Sequence, residues 1–157
     1  MREAHLIEKM AVKTGFLGDL TGGQESERIA MDKSNRVAIV CHLESAAVDF
    51  DLTLRQHDAA AAGNSKDLSK EIIRYFVKLD GETKFTEKEV LNGAQIVDAS
   101  LNGAKGIVIV EVLAEELDRE GFGFISGIFT QGAVARVACV EYVAHQLKNF
   151  PGYDVEL

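Results

Sequence analysis

The chain has 157 residues, 46% of them apolar, which is the length of one domain and enough to bury a core without disulfide or metal staples. Its formal charge of −8 argues against a general polyanion binder, because phosphate recognition needs a positive field. The opening MREAHLIEKMAVKTG lacks the apolar segment of a secretion signal and no apolar run approaches a bilayer span, so neither nucleic-acid nor membrane partners are expected.

Residues 1–35 read as an N-terminal arm, extended or partly helical. Apolar residues are sparse there, Gly15, Gly18, Gly22 and Gly23 interrupt it, and Ala4 to Ala11 offers only a helix too short to hold alone. Leu6, Ile7, Phe16, Leu17 and Leu20 are bulky apolar residues in this segment. They either pack back on the parent domain or anchor the arm to a neighbouring subunit.

Residues 36–157 read as a single all-β domain, a predominantly antiparallel sandwich of jelly-roll type. Val37, Ile39, Cys41 and Leu43 alternate with Ala38, Val40 and His42, giving a strand with two apolar faces. Val48, Phe50, Leu52 and Leu54 alternate with Asp49, Asp51, Thr53 and Arg55, so one face meets the core and the other water or a partner. Gln56 to Lys66 reads as a loop. Lys70 to Leu79 fits a helical stripe as well as a strand; its β-branched and aromatic residues and the Asp80-Gly81 turn favour a strand that continues into another over Thr83 to Val90. Asn92-Gly93 and Asn102-Gly103 bracket another strand.

Ile107 to Leu113 is the expected central strand, apolar on both faces and buried from both sides. A corner at Ala114 to Gly121 leads into a strand whose Phe122, Phe124 and Ile128 face the same core, and the two strands are expected to pair. In the last strand, Ala133 to Ala144, Val134, Arg136, Ala138, Val140 and Tyr142 share one face, and Val137, Cys139, Glu141 and Val143 the other. Short strands separated by turn signals are the signature of a sandwich.

Cys41 and Cys139 match no metal or redox spacing; they are either two free thiols or a strand-to-strand disulfide. The four histidines form no linear ligand set, and neither a P-loop nor a G-x-S-x-G motif is present. No catalytic residue, cofactor or metal is therefore expected, and the chain does not read as an enzyme.

Several stretches taken in order resemble small virion-associated proteins of tailed bacteriophages: residues 51–60 (DLTLRQHDAA), 63–69 (GNSKDLS), 107–118, 121–125 (GFGFI), 135–138 (ARVA) and Tyr142-Val143. The similarity spans about residues 36–153 and leaves the N-terminal arm unmatched. It implies a structural virion protein, made in the bacterial cytoplasm, that decorates or reinforces the capsid as a homo-oligomer. Its partners would be the major capsid protein or other virion proteins, with a neck or tail connector as the alternative. The resemblance transfers no active site. A carbohydrate- or ligand-binding sandwich acting alone is the rival, although the chain has no Trp and only three Tyr with which to stack on sugars.

Overall fold

Alternation along the chain resolves into strands that bury every second side chain. A computed structural model describes residues 10–32, 34–70, 74–91 and 93–147. In order these form β1 (Met10–Asp19), β2 (Gln24–Glu25), β3 (Ile29–Ala30), β4 (Ser34–Leu43), β5 (Phe50–His57), β6 (Ser65–Asp67), β7 (Arg74–Leu79), β8 (Thr86–Glu89), β9 (Gln95–Asp98), β10 (Gly106–Leu113), β11 (Phe124–Phe129) and β12 (Val137–Leu147). The first sheet runs β1-β12-β4-β10-β7-β8 and the second β2-β11-β5-β6, with β3 also beside β11 and β9 beside β5. Every strand pair is antiparallel.

Between the sheets lie the inward residues of the central strands: Val37, Ile39 and Cys41 of β4, Val108, Val110 and Val112 of β10, and Phe50, Leu52 and Leu54 of β5. Each fully buried aliphatic or aromatic side chain contributes about 1.5–3 kcal/mol relative to leaving it in water. The all-β sandwich expected from the sequence is thus the observed architecture.

Four expectations need correction. From Met10 onward the expected arm is part of both sheets: β1 lies along β12 from Met10↔His145 to Asp19↔Val137, and β2 and β3 pair with β11. The reason is burial. Leu20 sits wholly inside, and the Phe16 ring lies 6.4 Å from that of Phe129. Leu6 and Ile7 lie outside the described residues.

The strands 107–113 and 124–129 do not pair. The 3-10 turn Ala114–Glu116 begins the corner that carries the chain from β10 in the first sheet to β11 in the second, so the two strands face each other across the core. On β11 the faces are also reversed: Ile125 and Phe129 are buried inward with Gly127 between them, whereas Phe124 and Ile128 are only half-buried. Gly127 belongs inside because a β-carbon there would stand 2.6 Å from Leu52 Cδ1. Finally, β10 is central but covered on one face only, since Ile107, Ile109 and Leu113 on its other side remain half-exposed and Glu111 is exposed.

Candidate docking surface

The outer face of the first sheet carries Leu17, one of the residues the sequence marked for a partner, together with the thiol of Cys139. Strand registers set Leu17, Cys139, His42, Ile107 and Lys78 in one row, and Thr14, Glu141, Val40, Ile109 and Phe76 in the next. Val12 and Val143 are paired beyond them. Three large apolar side chains stand out into solvent at this edge: Leu17 at 72% exposure, Val12 at 62% and Val137 at 51%. Of the expected anchors in the described chain, therefore, Phe16 and Leu20 serve the protein's own core and Leu17 alone is free.

Most charges on this face are arranged in pairs; Glu89 and Lys78 have no salt-bridge partner among the described residues. Glu141 lies 3.5 Å from His42, Glu87 3.5 Å from Arg74, and Glu111 sits between Arg36 at 3.4 Å and His145 at 3.2 Å. Across the end of the face runs a groove of about 620 Å³ lined by Leu17, Val137, Cys139, His42, Ile107 and Lys78, among others, with the Lys105–Glu44 pair at 2.8 Å beside it.

Cys139 lies opposite His42, and Cys41 lies opposite Val140. Adjacent positions on a strand point to opposite faces, so Cys41 is sealed in the core while Cys139 is half-exposed outside. Both thiols are free, and burial pushes that of Cys41 far above its ordinary value. The disulfide is thereby excluded in this fold. Among the described residues no group of three His, Cys, Asp or Glu side chains is placed to hold a metal ion.

Two polar arrays brace the sandwich behind this face. The first centres on His57, fully buried at the end of β5, where the sequence suggested a loop. Its Nδ1 is 2.6 Å from Ser65 Oγ and its Nε2 is 2.7 Å from Ser126 Oγ. Ser126 donates to Glu25 Oε1 at 2.7 Å, so it accepts from the imidazole Nε2–H, which leaves Nδ1 to accept the Ser65 hydroxyl proton. Arg28 donates to Ser65 at 3.3 Å and to the carbonyls of Ala59 and Ala62 at 2.9 and 2.5 Å. A directed chain thus runs from a guanidinium to a carboxylate through a neutral imidazole. Burial, reinforced by Arg28, holds the imidazole pKa below its ordinary value. Ser126 is itself fully buried, so the Ser–His pair ties β5, β6 and β11 together and presents no hydroxyl to a substrate.

The second array is Arg136, 1% exposed. Its Nη2 donates to the carbonyls of Leu101 at 2.8 Å, Val48 at 2.9 Å and Ala46 at 3.3 Å. Its backbone N–H donates to Asp19 Oδ1 at 3.2 Å, and its carbonyl accepts from Leu20 N at 2.9 Å. The guanidinium therefore holds the β4–β5 connection to the 3-10 turn Ala99–Leu101, while the Arg136 backbone holds the end of β1. No carboxylate among the described residues bonds to the guanidinium, and burial lowers its pKa.

The alternation at 51, 53 and 55 continues to 57 and would have extended β5 to His57; nothing local marks Arg28 as its neighbour. No protein-family model and no curated protein sequence matches the chain.

Proposed function

We propose that this chain is a structural, non-enzymatic protein of a tailed-phage particle, decorating or reinforcing the shell through the outer face of its first sheet. The observation that carries the reading is the exposed apolar pair Leu17 and Val137, with Val12 farther along β1, on a face where most charges are paired. Contiguous exposed apolar surface is characteristic of protein contact. A flat sheet backed by a continuous core, with buried struts at Arg136 and His57, suits a rigid element in a lattice. The resemblance in residues 51–69 and 107–138 supports the same role and suggests the virion as its setting.

Immunogold labelling of purified particles, with antibody to the recombinant chain, tests it. Label over the head supports decoration. Label at the neck or tail keeps the structural role and moves the partner to a connector. Absence of label on accessible particles refutes the reading.

The 620 Å³ groove favours a second reading, a ligand-binding sandwich. No Phe, Tyr or Trp lines it, which leaves it without the aromatic platform common in small-molecule sites. A saturable thermal shift with a soluble glycan or small acid would turn attention to it.

A further inference from the structure

We infer that the outer face of the first sheet is covered by a second copy of this chain, packed face to face about a two-fold axis. The inference rests on the reading that this face docks protein, and it names the partner.

Charge is the first argument. Two molecules that each carry −8 repel wherever their unpaired carboxylates meet. On this face the carboxylates of Glu87, Glu111 and Glu141 each have a cationic or histidine partner within 3.5 Å, and Glu89 and Lys78, outside those pairs, offset each other in net charge. The face can therefore meet its own image without concentrating that repulsion.

Area is the second argument. Five strands from β1 to β7, spaced about 4.8 Å and about 27 Å long, present about 650 Å² per copy, or about 1,300 Å² buried in total. That falls within the range of about 1,200–2,000 Å² for stable specific interfaces.

Shape is the third. The face carries both a ridge, the projecting Leu17 and Val12, and a hollow, the groove over Ile107. Self-complementary two-fold contacts require both on one patch. Sheets stack about 10 Å apart with side chains interleaved, and half-exposed Val40, Ile109 and Phe76 then complete a second apolar layer.

Cys139 lies within this face and Cys41 is sealed in the core, so a single thiol reports whether the face is covered. The experiment combines sedimentation of the full chain from about 1 to 100 µM with the rate at which iodoacetamide modifies Cys139. The expected result is a concentration-dependent doubling of mass. Cys139 should react about tenfold slower where nine-tenths of the chains are paired, because only the free copy is accessible. Leu17→Glu, at an exposed position, should stay monomeric and react at the free rate while keeping the urea midpoint that the wild type shows at dilutions where it too is monomeric. Should it unfold, Val12→Glu serves the same purpose.

A monomer throughout the range overturns the inference, as does a dimer in which Cys139 reacts at the monomer rate. Particle labelling is independent of both. A monomer that labels particles sinks the dimer alone, and a dimer absent from particles sinks the virion role alone.

Discussion

Replacing Arg136 with alanine tests whether one buried guanidinium holds the loop end of the sandwich. The Ala46 carbonyl keeps the Gly103 N–H at 2.7 Å and that of Leu101 keeps Ala104 N–H at 3.2 Å, so it is the Val48 carbonyl that loses its donor. A bond from a charged donor is worth about 1.5–3 kcal/mol. Emptying the space of the aliphatic stem adds about 1–2 kcal/mol. Against this, the variant no longer buries a cation whose Nε and Nη1 have no acceptor among the described residues, and part of the cost returns. The net expectation is a loss of about 3 kcal/mol, or about 6–12 °C in Tm for a chain of this size. Arg136→Met keeps the stem volume and removes the charge, and should lose about half as much. Urea unfolding followed by far-UV circular dichroism is suitable, since the chain has no Trp. An Arg136→Ala midpoint corresponding to a loss below about 0.5 kcal/mol would refute the reasoning, because a stem and a charged bond cannot both be lost so cheaply.

Other tests follow from the same geometry. Folding holds the His57 pKa below its ordinary 6.5, so the unfolded chain takes up that proton first as pH falls. The contribution to stability is complete above pH 6.5 and shrinks below it. Wild type should therefore lose up to about 1.4 kcal/mol per pH unit more than His57→Gln in that window, seen as diverging urea midpoints; parallel midpoints would count against a neutral buried imidazole. Tyr142 donates to the Glu27 carbonyl at 2.7 Å and lies 2.6 Å from Ser26 Oγ, so Tyr142→Phe should cost about 1–2 kcal/mol in the same assay. Gly127→Ala should destabilise by about 1–3 kcal/mol, because the new methyl overlaps Leu52 in a packed core. In dilute native protein, mass spectrometry after alkylation should find Cys139 modified and Cys41 untouched until urea is added.

The parts of the fold legible in the sequence are those where one strand face meets water. Phe50, Leu52 and Leu54 alternate with polar residues, and their burial follows from that alone. The β7–β8 hairpin was legible through its turn and not through its periodicity, which also fits a helix: Asp80-Gly81 supplies a turn in which Gly81 takes a positive φ of 85°. On β11 the signal fails because both faces carry apolar residues. What selects Ile125 and Phe129 for the core is the close approach of Leu52 to Gly127, a contact between residues far apart in the chain. Phe16 and Leu20 were ambiguous for the same reason, as the core they complete includes Phe129 from a distant strand. The docking face was read only in part. Leu17 could be singled out as a bulky apolar residue, but its neighbours Val137 and Cys139 become neighbours through the β1–β12 register, which no local pattern encodes.

That register has a consequence for synthesis. Among the described strands, β1 at the edge of the first sheet is translated first and its partner β12 last, separated by roughly 120 residues, or about 6–24 s at ribosomal elongation rates. Until β12 leaves the ribosome, Phe16 and Leu20 have no finished core to enter, and β4 lacks one of its two neighbours. Such non-local pairing also folds slowly once the chain is complete. The nascent chain therefore passes through an interval in which the β1 edge and the unfinished core are open to chaperones and to other nascent chains.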